Sequence, residues 1–338
     1  MQRRCVIAST WAILAVALWL GVPGAAGAAA GYAERPDVLA FIEHMHDAHG
    51  FSAPALRRLF SQVRFQPQVV AAMTRPLVSP PAYDEFASRF LDPERVEAGI
   101  EFWRDHAEAL DRARRIFAVP PEIIVAILGV ETYYGRNTGG YRVIDTLTTL
   151  AFDYPRRADF FRGELEQFLL FTREQGISAL APRGSYAGAI GLAQFMPGSI
   201  RSYGIDFDGD GRIDLASDAD DAIGSVAQYL ARHGWRPGQP VMAPARIDAP
   251  DADALLARFA GPAARRPLAE WTHDGVTGFV FPGDLAPDPV GVVMLEVGGA
   301  PTYWLAFENW YVLTRYNQSR LYASAVWQLS ELLRAQAP

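Results

Sequence analysis

The chain has 338 residues, of which 50% are hydrophobic and 12% aromatic, and its formal net charge is −7. That length allows one large domain or two or three small ones. All 31 basic residues are arginine, which excludes Schiff-base lysine chemistry and the P-loop lysine. No basic stripe stands out, so we expect no nucleic-acid partner.

The first thirty residues, 1–30, have the pattern of a secretory signal peptide. Arg3 and Arg4 precede the apolar stretch VIASTWAILAVALWLGV, and the small residues PGAAGAAA follow it. This predicts cleavage near residues 28–30 and a periplasmic protein. The alternative is an uncleaved membrane anchor, because the apolar run is nearly long enough to span a bilayer. Cys5, the only cysteine, precedes that run, so we expect no lipoprotein, disulfide or thiol catalysis.

Residues 31–115 are predicted to form a helical N-terminal part. Ser52 can cap one helix that Pro54 opens, and Asp92 with Pro93 repeats that pattern before an amphipathic run. The periodicity therefore predicts several helices before residue 116.

Three histidines, His44, His46 and His49, lie in the first predicted helix. Their spacings of two and three do not place all three on one helix face. We interpret them as surface residues and not as a metal site.

The stretch PPEIIVAILGVETYYG, residues 120–135, places a carboxylate at the end of an apolar run. Glu122 lies in the first predicted turn, where its charge suits the helix dipole. Ile124, Leu128 and Glu131 follow at spacings of four and three, which places Glu131 on the apolar face. Burial raises the pKa of a carboxyl group, as a general acid requires. The alternatives are a structural hydrogen-bonding group or a helix end open to solvent.

The stretch DFDGDGRIDL resembles the start of an EF-hand calcium loop. Carboxylates occupy positions one, three and five: Asp206, Asp208 and Asp210. Gly211 holds the turn position, and the Arg212 carbonyl would be the seventh-position ligand. Position twelve is Ser217, where a bidentate glutamate normally stands. Three further carboxylates follow that can close the site: Asp218, Asp220 and Asp221. The alternative is a solvated acidic turn.

The character of the sequence changes at residues 236–312. This segment is rich in proline and glycine and contains short β-type runs such as VGVVMLEV and PTYWLAFENWYVLT. Residues 313–338 are predicted to form a closing helix. The expected fold class is mainly α (α+β), with a small β-rich domain on the C-terminal side.

Several long motifs resemble the B-type lytic murein transglycosylases, a family that cleaves bacterial peptidoglycan. They are ILGVETYYGRNTG, LAFDYPRRADFF, GSYAGAIGLAQFMPGS, the Asp-rich loop, DAIGSVAQYL and YVLTRYNQS. The motifs occur in the order of the family, and the resemblance covers nearly all of the mature chain. The resemblance implies a lysozyme-like helical catalytic core over residues 116–235, with a calcium-binding loop at 206–221, and a C-terminal helix that packs on this core.

The resemblance also assigns site residues. The family's single catalytic acid falls on Glu131. Its glycan-binding positions fall on Arg156, Arg157, Ser185, Gln194, Tyr229, Tyr316 and Asn317. Its structural Ca²⁺ ligands fall on Asp206, Asp208, Asp210, the Arg212 carbonyl and Asp221. The loop is one residue longer than the family pattern before DAIGSV, so Asp218 and Asp220 stay open as the last ligand.

These polar positions have other interpretations. Arg156 and Arg157 can be a solvated helix start, or they can bind carboxylates on lactyl or peptide groups. Ser185 and Gln194 lie in a glycine-rich stretch where the backbone can approach a sugar closely. The alternative is that QFMP, which begins at Gln194, is only an ordinary turn into a helix. Tyr133 and Tyr134 can each pack in the core or form a surface on which a sugar stacks.

The expected chemistry uses one carboxylate. Hydrolysing glycosidases usually carry two, and Asp145 and Asp153 are better interpreted as turn or capping groups. A tethered nucleophile of the sugar itself has a very high effective molarity. The resemblance implies that Glu131 protonates the bond between N-acetylmuramic acid and N-acetylglucosamine. The muramyl C6 hydroxyl then closes onto C1 as a 1,6-anhydro end, and no water is consumed.

Two other functions remain open. One is a lysozyme-type muramidase that uses water as nucleophile, and the other is a non-catalytic, calcium-dependent protein that binds the cell wall. In each case the expected partner is a peptidoglycan glycan strand. We expect a monomer that can associate with cell-wall synthesis complexes.

Overall fold

The computed structural model describes residues 31–75, 81–248, 252–258, 264–279 and 289–337. The predicted signal peptide, residues 1–30, lies outside these residues. Within the described ranges, no helix combines the length and apolar character that crossing a bilayer requires.

The described residues form a mainly helical protein with two small antiparallel sheets. The helices are α1 (Pro36–His49), α2 (Ala53–Phe60), α3 (Pro67–Thr74), α4 (Tyr83–Ala87), α5 (Pro93–Asp105), α6 (Ala107–Phe117), α7 (Pro121–Thr132), α8 (Val143–Asp153), α9 (Ala158–Glu174), α10 (Pro197–Tyr203), α11 (Ala219–Arg232), α12 (Ala252–Arg258), α13 (Leu268–His273), α14 (Glu308–Tyr316) and α15 (Arg320–Arg334). The strands are β1 (Tyr141–Arg142), β2 (Arg183–Gly184), β3 (Met242–Ile247), β4 (Val276–Thr277), β5 (Gly291–Val297) and β6 (Ala300–Ala306). Two short 3₁₀ helices span Tyr32–Glu34 and Pro155–Arg157.

Helix starts in the N-terminal part follow the predicted capping residues. The Ser52 hydroxyl accepts the Ala55 N–H at the start of α2, and an Asp92 carboxylate oxygen accepts the Arg95 N–H at the start of α5. Each bond satisfies a backbone donor that has no partner inside its helix. The predicted caps at Ser52 and Asp92 are confirmed.

Helix α7 lies at the centre of the molecule and packs against α5, α6, α11 and α15. Every residue from Ile123 to Val130 is buried, so the helix is apolar on all sides, as a core helix is. The helix ends where Tyr133 adopts a left-handed conformation, with φ of 53°. The buried helix predicted from the sequence is confirmed, and Glu131 lies in its last turn.

The larger sheet has the strand order β4-β3-β6-β5 and is antiparallel throughout. Strands β5 and β6 form a hairpin whose turn uses Gly298 and Gly299 at positive φ. Trp271, from α13, is 1% exposed and centres a small separate core between the helix and the strands. Met242 and Val293 lie in the main core instead, so the sheet is anchored to the helical body.

The prediction of PTYWLAFENWYVLT as one β-type run is wrong after Ala306, where β6 ends, because Glu308–Tyr316 form helix α14. The C-terminal part therefore contains two helices where the sequence predicted one. Helix α14 ends at Tyr316, and α15 begins after Ser319, whose hydroxyl accepts the Tyr322 N–H. The break turns the chain so that the rings of Tyr316 and Tyr322 lie nearly parallel, at 12° and with centroids 6.4 Å apart.

Candidate active site

Glu131 lies in the last turn of α7 and is bonded from a distant part of the chain. The Tyr322 hydroxyl donates a 2.6 Å hydrogen bond to Glu131 Oε1. Burial raises the pKa of Glu131 to about 7, and the bond from Tyr322 opposes that rise. The carboxyl group therefore exchanges a proton near neutral pH, which suits both a general acid and a general base.

Tyrosine rings line the surroundings of Glu131. Burial raises the pKa of Tyr316 and Tyr322 well above the usual value, and the nearby Glu131 carboxylate adds to this, so both hydroxyls stay protonated. Tyr316 donates to the Ala193 carbonyl at 2.5 Å, and Tyr229 donates to the Arg315 carbonyl at 2.6 Å. Ring centroids of Tyr229 and Tyr316 lie 5.0 Å apart. Each hydroxyl bond fixes a ring, so the aromatic wall is rigid.

Sequence reasoning missed Tyr322. It lies 191 positions from Glu131, on a helix that was predicted only as a closing element. Its signal in the sequence is a tyrosine inside the otherwise apolar face of α15, where Ala325, Val326 and Leu329 are also buried. A buried tyrosine hydroxyl needs a polar partner, and here that partner is Glu131.

The glycine-rich segment GSYAGAIGLAQFMPGS is held beside α7 by hydrogen bonds to both backbone groups of Leu192. The hydroxyl of Thr132, which follows Glu131, donates to the Leu192 carbonyl at 2.9 Å. The Leu192 N–H donates to the Leu215 carbonyl at 2.7 Å. Gly191 has φ of 74°, and a Cβ there would lie 1.9 Å from the Leu215 carbonyl oxygen, so only glycine allows this approach.

Gln194 and Ser185 both fix the conformation of the glycine-rich segment. Gln194 adopts the left-handed conformation, with φ of 49°, and its amide donates to the carbonyls of Thr138 and Gly191 at 3.1 and 2.9 Å. The Ser185 hydroxyl accepts the N–H of Ala189 at 3.1 Å. Tyr316 holds the same segment through Ala193, so the structure brings Gln194, Tyr229, Tyr316 and Glu131 to one region.

The remaining predicted glycan positions lie on exposed surface. Arg156 and Arg157 form the short helix before α9, and the Arg157 guanidinium stacks on the Phe160 ring at 4.1 Å. Asn317 is exposed at the end of α14, next to Tyr316. The structure thus presents the two arginines on a different element from the tyrosines.

The Asp-rich loop brings three carboxylates together. Ligand oxygens of Asp206, Asp208 and Asp210 all lie within 4.8 Å of one another. Both oxygens of Asp206 also accept backbone N–H bonds, from Gly209 at 2.7 Å and Gly211 at 2.8 Å. This convergent set of hard oxygens fits a calcium ion.

Asp221 lies deeper than those three carboxylates and is 1% exposed. It accepts the N–H of Phe207 at 2.6 Å and the N–H of Asp214 at 2.7 Å. Burial raises the pKa of Asp221, and those two donors oppose the rise. Asp218 instead caps α11 by accepting the Asp221 N–H. Asp221 therefore ties the two ends of the loop together, and its role as the last ligand stays a prediction.

The two other candidate carboxylates hold the fold together. Asp145 accepts from Arg142 at 2.6 and 2.8 Å and from the Arg64 N–H at 3.1 Å. Asp153 accepts from Tyr32 at 2.5 Å and Arg35 at 2.6 Å. Both are engaged in structural bonds, whereas burial raises the pKa of the Glu131 carboxyl group.

Tyr133 and Tyr134 differ in their surroundings. The Tyr134 hydroxyl is buried against Gly99 and Gly129, where any Cβ would lie within 2.6 Å of it. Tyr134 is therefore partly buried and packed against the core. The Tyr133 ring is only half-buried and is flanked by the Arg95 guanidinium, 4.5 Å from its centroid.

Comparison with known proteins identifies the family. The model of the transglycosylase SLT domain matches residues 33–331. The membrane-bound lytic murein transglycosylase B of Escherichia coli (strain K12) is 39% identical over 315 residues, which cover 89% of this chain and 83% of that protein.

Solved structures agree with that match. The soluble lytic transglycosylase SltB1 from Pseudomonas aeruginosa superposes with a TM-score of 0.84 at 44% identity, over 89% of this chain and 99% of that one. Escherichia coli Slt35 in complex with calcium gives 0.83 at 39% identity, over 90% and 95% of the two chains. SltB3 from Pseudomonas aeruginosa, in complex with NAG-NAM-pentapeptide, gives 0.78 at 32% identity, over 88% and 79%. The mainly α, lysozyme-like fold predicted from the sequence is confirmed, and the chain belongs to the transglycosylase SLT domain family.

Proposed function

We propose that the protein is a peptidoglycan lytic transglycosylase in which Glu131 is the single general acid and base. The observation that carries this proposal is the environment of Glu131, which is partly buried, has a pKa raised to about 7 and is bonded by one tyrosine hydroxyl. Family membership and the lytic transglycosylases that the chain resembles support the reaction class.

Glu131 alone can carry out both proton transfers of the reaction. Protonated Glu131 gives its proton to the glycosidic oxygen between N-acetylmuramic acid and N-acetylglucosamine, and the C1–O bond breaks with help from the muramyl 2-acetamido group. The Glu131 carboxylate then takes the proton of the muramyl C6 hydroxyl, whose oxygen bonds to C1. Glu131 ends protonated, as it began. Tyr322 stabilises the carboxylate between the two proton transfers, since it donates to Oε1.

The proposed glycan-binding surface lies beside Glu131 and includes Tyr229 and Tyr316. Tyr316 is partly buried, and Tyr229, which is 8% exposed, packs behind it. The Gln194 amide and Ser185 lie on the segment that Thr132 holds. Apolar ring faces and nearby polar groups suit the two faces of a sugar. The other proposed contacts with glycan or peptide groups are Asn317, Arg156 and Arg157. The SltB3 complex with a NAG-NAM-pentapeptide supports a glycan–peptide substrate.

We also propose that the Asp-rich loop holds a structural calcium ion. Its ligands would be the clustered carboxylates of Asp206, Asp208 and Asp210. The Arg212 carbonyl and Asp221 are proposed from the loop pattern alone. The ion would supply charge that offsets the mutual repulsion of the carboxylates. The Leu215 carbonyl accepts from Leu192, so order in this loop supports the segment beside Glu131. The calcium complex of Slt35 supports the assignment.

The remaining organisation is proposed as the sequence predicts it. Residues 1–30 direct export to the periplasm and are cleaved, without lipid attachment. The mature chain comprises a helical part at 31–115, the catalytic core at 116–235, the β-rich domain at 236–312 and the C-terminal segment at 313–338. Mass spectrometry of the periplasmic protein tests the cleavage, because a full-length form that requires detergent would show an anchor instead.

Digestion of peptidoglycan in H₂¹⁸O tests the reaction. We expect muropeptides with 1,6-anhydromuramyl ends that carry no ¹⁸O at C1, because the C6 hydroxyl of the sugar is the nucleophile. A lysozyme-type muramidase would place ¹⁸O on a reducing end. A non-catalytic wall-binding protein would release no muropeptide.

A further inference from the structure

Two histidines predicted as surface residues meet a glutamate from a distant part of the chain. His44 and His49 lie on α1, and Glu166 lies on α9. His44 Nε2 is 3.1 Å from Glu166 Oε2, and His49 Nε2 is 2.9 Å from Glu166 Oε1. The ligand atoms of all three residues lie within 4.8 Å of one another. The third histidine, His46, is exposed and contacts the Phe51 carbonyl instead.

The histidine rings approach the carboxylate from two directions. Their planes cross at 88°, and their centroids are 5.9 Å apart. Sequence reasoning tested whether all three histidines share one helix face, and they do not. The sequence alone does not predict that Glu166, more than a hundred residues away, supplies a carboxylate to the two histidines.

We propose that His44, His49 and Glu166 form a binding site for a divalent ion of the zinc class. Two imidazoles and one carboxylate are the protein ligands of a His₂Glu zinc site. Atoms about 2.0–2.1 Å from a tetrahedral ion lie roughly 3.3 Å from one another. Each histidine nitrogen lies at a similar distance from one Glu166 oxygen, 3.1 and 2.9 Å. Imidazole ligands select zinc, cobalt or nickel over calcium, which prefers oxygen.

The surroundings leave room for the ion and for a water ligand. His44 and Glu166 line an open groove of 550 Å³. The side chain of His44 is 53% exposed, whereas those of His49 and Glu166 are 25% and 24% exposed. An ion can therefore reach His44 and Glu166 from the groove.

Other charged side chains also line the groove, among them Arg162. Asp37 and Asp159 line it together with Glu166. Asp159 is paired with Arg162, and Asp37 is paired with Arg35 at 2.7 Å, so these carboxylates are held in place. A bound ion would join α1 to α9, two helices separated by more than a hundred residues of sequence. It would therefore stabilise the native state, since an unfolded chain does not hold the three ligands together.

Zinc titration of the purified protein tests the proposal. Calcium is kept saturating in every sample, so that the Asp-rich loop does not contribute. We expect one equivalent of Zn²⁺ to bind by calorimetry and to raise the melting temperature. Substitution with Co²⁺ should give the visible absorption of a four-coordinate site. His49→Ala and Glu166→Gln should each abolish binding, whereas His46→Ala, which removes a histidine from the same helix, should keep it.

Protection of the histidines gives an independent readout if a variant does not fold. In the wild-type protein, Zn²⁺ should slow diethyl pyrocarbonate modification of His44 and His49 and leave His46 unchanged, as peptide mass spectrometry can measure. The proposal is overturned if Zn²⁺ does not bind, if it binds equally well to Glu166→Gln, or if the three histidines are protected alike.

Discussion

The Tyr322 hydroxyl donates a 2.6 Å hydrogen bond to Oε1 of Glu131, and this bond joins the C-terminal helix to the end of α7. It stabilises the charged form of Glu131, while burial stabilises the neutral form. The balance between these two effects holds the pKa of Glu131 at about 7.

Tyr322→Phe is expected to move the pH dependence of the enzyme upward. The wild-type kcat/KM should fall as the pH rises through about 7, because the reaction starts from protonated Glu131. Loss of the hydroxyl removes the bond that lowers the Glu131 pKa, so the alkaline limb should move to higher pH. Tyr229→Phe is the control, because that hydroxyl bonds the Arg315 carbonyl and not Glu131. A limb that stays in place in Tyr322→Phe contradicts the assignment.

Glu131→Gln is expected to stabilise the protein at alkaline pH more than at acid pH. The pKa of Glu131 is raised in the folded state, so the stability linked to its proton is complete below the unfolded value and is lost as the pH rises through about 7. The gain in unfolding free energy should therefore be larger at pH 8 than at pH 4, by at most about 3 kcal/mol. Urea denaturation at both pH values measures it. The exposed Glu101→Gln should show no such difference.

Thr132→Val is expected to weaken glycan binding. The substitution keeps the shape but removes the hydroxyl that holds the Leu192 carbonyl, and leaving that carbonyl unpaired should cost about 1–3 kcal/mol of stability. The segment that carries Gln194 loosens, so KM should rise more than kcat falls. Thr132→Ser retains the hydroxyl and should stay near wild type. Equal defects in both variants would exclude the hydroxyl as the cause.

Calcium is expected to raise the melting temperature, and magnesium should raise it less because it gives up its waters reluctantly. An ion that binds the native state alone adds about 2.7 kcal/mol at a hundredfold excess over its dissociation constant. Asp208→Ala should abolish the shift and leave measurable lysis at low temperature, since we propose a structural role for the ion. The exposed Asp105→Ala should keep the shift. An unchanged melting temperature after chelation would make the loop an acidic turn.

Local signals made much of the fold predictable. The caps at Ser52 and Asp92 are short-range features, and the buried character of α7 follows from its apolar run. Glu131 was found in the same way, because its spacing from Ile124 and Leu128 places it on the apolar face.

Contacts between distant residues were not predictable from a single sequence. Tyr322 meets Glu131, and Glu166 meets His49, across more than a hundred residues. The hydrogen bonds of Leu192 and Leu215 could not be predicted either. Their backbone carbonyls accept these bonds, so the identity of the side chain gives no signal. Helix α14 was missed because its aromatic and β-branched residues continue the β-type pattern of β6.

Turnover of purified peptidoglycan by Glu131→Gln tests the central claim most directly. The amide keeps the shape of the side chain but cannot deliver or retrieve a proton, so release of anhydromuropeptides should fall by about 10²–10⁴-fold. Glu122→Gln is the matched control, because Glu122 lies in the first turn of the same helix and burial also raises its pKa. We predict near wild-type turnover for Glu122→Gln and almost none for Glu131→Gln. A folded Glu131→Gln variant that retains more than about a tenth of wild-type turnover would remove Glu131 from the mechanism.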